Sequence, residues 1–175
     1  TIADKSRFPT IKDRYSYRMG TAIPNAGLKD EQALHYEVGY ARDLSPALRY
    51  DARVFYSDIT NLIQSVTIAP SLCATPPCSQ MQNVGKASAA GIELDLRGEL
   101  GAWRYAFNYA YLERRNRTGN HLLLTDTPRH KLFATAEWKL ADAWSASGSV
   151  EGMTRRYSSS DGKQVAPAYA IASLK

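Results

Sequence analysis

The sequence predicts an all-β fold, an antiparallel up-and-down meander with one apolar face turned to lipid. Three observations carry this. Six stretches alternate apolar and polar residues at period two, which in a strand sends successive side chains to opposite faces. The connections between them alternate short and long. One face is aromatic to a degree that no solvated surface tolerates: Trp103, Tyr105, Phe107, Tyr109 and Tyr111 all share it.

Residues 8–31 read as an irregular segment, broken by Pro9, Gly20, Pro24 and Gly27. The first strand covers residues 33–43, with Leu34, Tyr36, Val38 and Tyr40 opposite His35, Glu37 and Gly39. A tight turn at residues 44–47 leads into a second strand, expected to run from residue 48 to residue 67. Its apolar set is Leu48, Tyr50, Ala52, Val54 and Tyr56; Arg49, Asp51, Arg53, Phe55 and Ser57 lie opposite. The loop at residues 68–80 holds Pro70, Pro76 and Pro77. The third strand is expected over residues 81–98, most clearly where Ile92, Leu94 and Leu96 alternate with Glu93, Asp95 and Arg97.

After a short turn at Leu100-Gly101 comes the aromatic strand, then a long loop at residues 114–128. The fifth strand, residues 129–140, sets Leu132, Ala134, Ala136 and Trp138 against Lys131, Phe133, Thr135 and Glu137. Residues 141–143 form another tight turn. The sixth strand, residues 144–151, opposes Trp144, Ala146, Gly148 and Val150 to Ser145, Ser147, Ser149 and Glu151. Asp161-Gly162 marks a further loop, and a last strand begins near residue 167.

In a meander of this kind all tight turns fall at one end and all long loops at the other. Membrane barrels are built so, with an apolar outer face and a wet lumen. Trp103, Trp138 and Trp144 all flank tight turns, where an aromatic girdle meets lipid headgroups. Tyr50, Val54, Ile92, Leu94, Phe107 and Tyr109 are therefore expected to face lipid, and Arg49, Arg53, Glu93, Asp95 and Asn108 the lumen. A soluble barrel or sandwich with the aromatic face inside is the competing fold.

Composition is compatible with this reading. The chain has 175 residues and no run of about 20 apolar residues, so no transmembrane helix is predicted. A mean hydropathy of -0.39 does not weigh against a barrel, whose strands are half polar. Net charge is +5, from 22 basic and 17 acidic residues, but the basic residues do not cluster on a helix. A solvated polar face explains them, and no nucleic-acid partner is expected. The chain opens on Thr1-Ile2-Ala3-Asp4 and closes on Ser173-Leu174-Lys175 in mid-pattern, as a segment of a longer protein does.

The two cysteines, Cys73 and Cys78, lack the partners of a zinc site and are too far apart for a Cys-x-x-Cys redox pair. A small structural disulfide in an oxidising compartment is expected, with two free thiols as the alternative. No catalytic motif stands out: Gly148-Ser149-Val150-Glu151-Gly152 misplaces its serine for a nucleophile elbow, and the histidines His35, His121 and His130 lack metal spacing. No enzyme, metal or cofactor is expected. In the long loops, Arg114, Arg115, Arg117, Asn120 and His121 form a candidate basic patch for an anionic ligand. The alternative is a solvated loop facing lipopolysaccharide phosphates.

Several segments resemble the barrel of TonB-dependent outer-membrane receptors. Arg7-Phe8-Pro9-Thr10 looks like the family's aromatic-x-x-Pro-Thr segment with one residue missing. Asn25-Ala26-Gly27-Leu28-Lys29-Asp30-Glu31 resembles Asn-Pro-x-Leu-Lys-Pro-Glu with both prolines replaced, and Tyr36-Glu37-Val38-Gly39 fits the strand that follows. Asn83, Gly85 and Ala87, then Gly91 and Glu93, are similar to the family's Asn-x-Gly-x-Ala…Gly-x-Glu strand, and Pro128 and His130 match a Pro-x-His strand start. The motifs keep the family's order across nearly the whole chain.

The resemblance implies one segment, about seven or eight strands, of a large transmembrane barrel of about 22. It implies a plug inside, and uptake of a ferric siderophore, haem or cobalamin at the outer membrane of a Gram-negative bacterium. The partners implied are outer-membrane lipid and lipopolysaccharide, a small metal-chelate ligand, and the TonB complex through an N-terminal part outside residues 1–175. Plug, TonB box and final strands are all expected to lie outside this segment. A soluble lectin-like module and a passive porin are the alternative functions. Alone, the segment is expected not to close into a cylinder, because its end strands lack their neighbours.

Overall fold

Alternation at period two does produce strands, and eight of them join in one continuous antiparallel sheet. The computed structural model describes residues 1–175. In chain order the elements are β1 (Ile2–Arg7), helix α1 (Ile11–Tyr15), β2 (Ala22–Ile23), β3 (Glu31–Ser45), β4 (Leu48–Thr60), β5 (Ile63–Thr67) and β6 (Ser79–Asn83). Then come β7 (Ala87–Leu100), β8 (Trp103–Asn116), β9 (His130–Ala141), β10 (Trp144–Met153), β11 (Arg156–Tyr157), β12 (Val165–Ala166) and β13 (Tyr169–Leu174). The large sheet runs β1-β3-β4-β7-β8-β9-β10-β13. Its edges, β1 and β13, do not pair with each other, so the sheet is open. Tight turns join β3 to β4, β7 to β8 and β9 to β10; every other connection within this sheet is long and lies at the opposite end.

Register fixes the two faces. One cross-strand row reads Val38, Val54, Ile92, Tyr111 and His130. The next residue along each strand starts the opposite row: Gly39, Arg53, Glu93, Ala110 and Lys131. Tyr50, Val54, Ile92, Leu94, Phe107 and Tyr109 thus share one face, and Arg49, Arg53, Glu93, Asp95 and Asn108 the other. No layer covers the apolar face: Val38 is 78% exposed and Val54 58%. This excludes a sandwich with the aromatic face inside. At the tight-turn end Trp103 and Trp138 stack, their rings 5.4 Å apart and nearly parallel.

On the polar face, register sets Arg49 opposite Arg97 and Asp51 opposite Asp95. Like charges directly opposed are unfavourable. Three of the four turn aside to other partners: Arg49 to Asp43 at 3.4 Å, Asp51 to Arg53 at 3.0 Å, and Asp95 to the Asn108 amide.

The structure corrects three expected boundaries. The second strand does not reach residue 67. Asn61, at φ 53°, takes the left-handed conformation and turns the chain out of the sheet after Thr60. The third strand does not begin at residue 81: β6 leaves for another sheet, Gly85 turns at φ 98°, and β7 starts at Ala87. β5 and β6 instead join β2 in a separate three-stranded sheet. Residues 8–31 are not wholly irregular either, since they hold α1 and β2. Ahead of them, β1 pairs Ile2 through Arg7 with Tyr36 through Glu31.

Only 16 of 175 residues are buried, so no central core spans the sheet. A local cluster forms at the long-loop end: Ile59, Ala87 and Ala89 from the polar face meet Leu62, Val66 and Val84 from the connection between β4 and β7. Gly91 lies on the same face, where a Cβ would stand 2.5 Å from Phe55 Cζ and against the Tyr111 carbonyl. Gly91→Ala is predicted to destabilise the intact protein by about 1–3 kcal/mol, the usual result of overpacking. Urea unfolding in detergent measures this, and an unchanged midpoint would contradict the packing described.

Candidate functional site

The long connections fold back over the polar face, and the polar clefts they leave form the candidate site. The motif residues build its floor. Asn83, at the end of β6, accepts from Lys29 N at 2.9 Å and donates to Lys29 O at 3.0 Å and Asn61 O at 2.8 Å. One amide thereby joins the segment before β3 to the turn after β4. Gly85 is required twice: its φ is positive, and a Cβ would collide with the Thr118 side chain. Thr118 in turn accepts from Lys86 N at 2.7 Å, fastening the β8–β9 loop. Gln64 of β5 donates to Leu123 O at 2.7 Å and accepts from Thr125 N at 3.3 Å.

The N-terminal connection is tied in by charge. Arg7 lies 3.4 Å from Asp13 and 3.7 Å from Glu31, and Glu31 accepts from Ile63 N at 2.8 Å. Thr10 and Asp13 form a reciprocal capping box that starts α1. Burial pushes the Asp13 carboxyl upward, but hydrogen bonds from Thr10 and the charges of Arg7 and Lys12 outweigh it, leaving its pKa below the ordinary carboxylate value. In the β10–β13 loop, the Ser159 hydroxyl and the Lys163 N–H hold Asp161 below its ordinary value too. Cys73 and Cys78 are joined by a disulfide, their Cα atoms 5.8 Å apart, and Cys78 is buried under the loop.

Between these connections lies a cleft of about 590 Å³, lined among others by Lys12, Arg18, Glu31, Arg114 and Asp126. A second cleft of about 590 Å³ lies between the disulfide loop and the β10–β13 loop. Arg18, Ser65, Ser79 and Ser158 line both, so the two adjoin. Lys12 and Arg18 form no ion pair, whereas Arg7 is held by two carboxylates. The walls are therefore rich in hydroxyls, with three cations, Lys12, Arg18 and Arg114, that no carboxylate pairs.

The sequence-predicted basic patch is not one site. Arg114 points into the first cleft and donates to Thr127 Oγ1 at 3.0 Å. Arg115 pairs with Glu113 at 3.0 Å, and Arg117 donates to the Tyr56 hydroxyl at 3.1 Å; both belong to the apolar face's upper rim. Asn120 is used structurally, donating to Val84 O at 3.1 Å, and His121 is exposed without a hydrogen-bond partner. The cause is register: Arg114 and Arg115 are consecutive in β8 and take opposite faces. His130 sits on the apolar face, where Nδ1 is 2.8 Å from the Tyr109 hydroxyl; Glu93 lies opposite Arg53, and Pro128 precedes β9. Sequence reasoning missed Lys12 and Arg18. The Thr10-x-x-Asp13 spacing was the available signal that their segment is ordered.

Asn83→Ala is predicted to accelerate hydrogen exchange at the Lys29 amide and to cost about 1–3 kcal/mol locally, because that N–H loses its acceptor. An unchanged rate would contradict the latch. The lowered pKa of Asp13 sets a pH sign. Its contribution to anchoring α1 is full above the ordinary carboxylate pKa, shrinks as pH falls below it, and is gone below the lowered value. Exchange at Arg14 and Ser16, corrected for intrinsic rates, should rise only in that acid range, and Asp13→Asn should remove the dependence.

Comparison with known proteins agrees with this architecture. The TonB dependent receptor-like, beta-barrel family matches over residues 2–175. No curated protein matches the chain. Among solved structures, the copper transporter OprC superposes with a TM-score of 0.74 at 17% identity, over 99% of this chain and 27% of that one. The ferric-catecholate import receptor Fiu from E. coli K12 gives 0.70 at 18% identity, over 99% and 25%. A mutant of the ferric enterobactin receptor PfeA from Pseudomonas aeruginosa gives 0.69 at 22% identity, over 99% and 29%. At these identities the likeness is one of fold. The chain spans about a quarter of the length of the structures it matches.

Proposed function

We propose that this chain, which belongs to the TonB dependent receptor-like, beta-barrel family, forms part of the wall of an outer-membrane receptor that takes up a scarce metal-chelate ligand. The observation that carries the membrane reading is the uncovered apolar face. A sheet of eight strands exposing Val38, Tyr40, Val54, Ile92 and Trp138 on one side is a poor solute in water and a suitable wall in lipid. The same face argues against a soluble lectin-like module. Lipid and lipopolysaccharide are then the partners of that face, and the TonB complex supplies energy through a part of the receptor outside this segment.

The long-loop end is the ligand side in this reading. A ferric siderophore, haem or cobalamin presents carbonyl, hydroxyl or carboxylate oxygens, and Lys12, Arg18 and the serines of the paired clefts offer donors to such atoms. Several fold neighbours carry names of iron-chelate receptors, and one that of a copper transporter, which supports a metal chelate as the ligand class.

The intact receptor should extract from outer membranes only with detergent, and uptake should stop when TonB is deleted. Lys12→Ala with Arg18→Ala should weaken capture of the transported chelate roughly tenfold or more, as loss of charge-assisted hydrogen bonds does. Unchanged binding would reject the clefts as the ligand site. Recovery of the intact protein in the aqueous fraction would reject the membrane reading.

A further inference from the structure

Two arginines stand where the apolar face ends, and nothing in ligand capture uses them. At the long-loop end of that face, Tyr56, Ala90 and Glu113 form one cross-strand row, and Asp58, Ser88 and Arg115 form the next. The middle strand contributes only alanine and serine, so the surface dips between taller side chains on either flank. Arg117, in the loop after β8, reaches across this dip and donates to the Tyr56 hydroxyl at 3.1 Å. From the other flank, Arg115 places Nε and Nη2 on Glu113 Oε1 at 3.1 and 3.0 Å, which leaves its Nη1 unused. Arg115 is 72% exposed, and Arg117 has no carboxylate partner. Both guanidinium groups therefore border one trough with N–H donors to spare.

Height on the face identifies the occupant. The rows on the tight-turn side of the trough are apolar: Val54, Ile92 and Tyr111, then Ala52, Leu94 and Tyr109. A ligand seated here meets donors above and a greasy wall below. An anionic amphiphile satisfies both, with its phosphate at the arginines and its acyl chains along the wall. A free phosphate satisfies only the first. We propose that the trough between Arg115 and Arg117 is a binding site for the phosphorylated headgroup of an outer-leaflet lipid. The proposal rests on the membrane reading given above. It also accounts for Arg117 extending over the apolar face rather than into the clefts.

The test uses the intact receptor purified in detergent, with rough-type lipopolysaccharide and inorganic phosphate as probes. Each arginine removed from a lipid surface costs about fivefold in binding, so Arg115→Ala with Arg117→Ala should weaken lipopolysaccharide binding roughly 30-fold. Arg115→Lys with Arg117→Lys should retain most of the affinity, since the charge is kept. Asp58→Asn should tighten binding by removing a like charge from the border. Inorganic phosphate at millimolar concentration should not displace the lipid. Equal affinity of the alanine variant and the parent would overturn the site, and full displacement by inorganic phosphate would overturn the lipid assignment. Fractionation of each variant separates this from the underlying reading. Receptor found in the detergent-extracted outer-membrane fraction with unchanged lipid affinity defeats the trough alone, whereas receptor absent from that fraction defeats the membrane reading itself.

Discussion

Everything in this structure depends on one continuous hydrogen-bond register. Of 104 backbone hydrogen bonds, 80 lie within regular elements, and most of those are ladder bonds of the large sheet. Because side chains alternate at period two, a slip of one residue between β4 and β7 would set Arg53 and Asp51 in line with Ile92 and Leu94. The register is thus held by both faces at once. It also decides which loops meet, since antiparallel pairing collects every long connection at one end.

The contrast between the two ends follows from what each must bury. At the tight-turn end almost nothing is buried, and the polar face is a lattice of charges satisfied sideways. At the other end the polar face becomes small and apolar, through Ala33, Ala87 and Ala89, and the connections fold onto it as a small core. Asn83, Gln64 and Thr118 then pin those connections by backbone hydrogen bonds, so the clefts have fixed walls. The apolar face has no such cover. In water it would be a continuous apolar patch, and the open edges of β1 and β13 would add unpaired N–H and C=O groups. Under the proposed function, lipid and further strands would relieve both.

The strands, their order and their two faces were legible because each rests on local alternation that survives into the sheet. Leu94 and Asp95 could be assigned to opposite faces from sequence alone, as could the ends at which Trp103 and the long loops lie. Strand ends were less legible. Asn61 and Gly85 stop β4 and delay β7, and an isolated Asn or Gly does not announce a left-handed turn. The site was the least legible part. Arg114, Arg115 and Arg117 look like a cluster in the sequence, but β8 continues to Asn116, and its register distributes them between cleft and rim. Lys12 and Arg18 lie in a stretch with no period, where only long-range contacts such as Arg7 with Glu31 fix the backbone.

From Tyr50 to Tyr56 of β4 and from Ala90 to Leu96 of β7, even-numbered residues are proposed to meet lipid, while the charged odd-numbered residues Asp51, Arg53, Glu93 and Asp95 meet water. Within this chain Cys73 and Cys78 are bonded to each other, so neither competes with an added cysteine for label. Spin labels at Val54→Cys and Leu94→Cys, and at Asp51→Cys and Asp95→Cys, in the intact receptor in bilayers report this directly through collision with lipid-soluble oxygen or a water-soluble nickel complex. The first two should favour oxygen, and the second two the nickel complex. The reverse ordering, or equal access of all four to the nickel complex, would contradict the account.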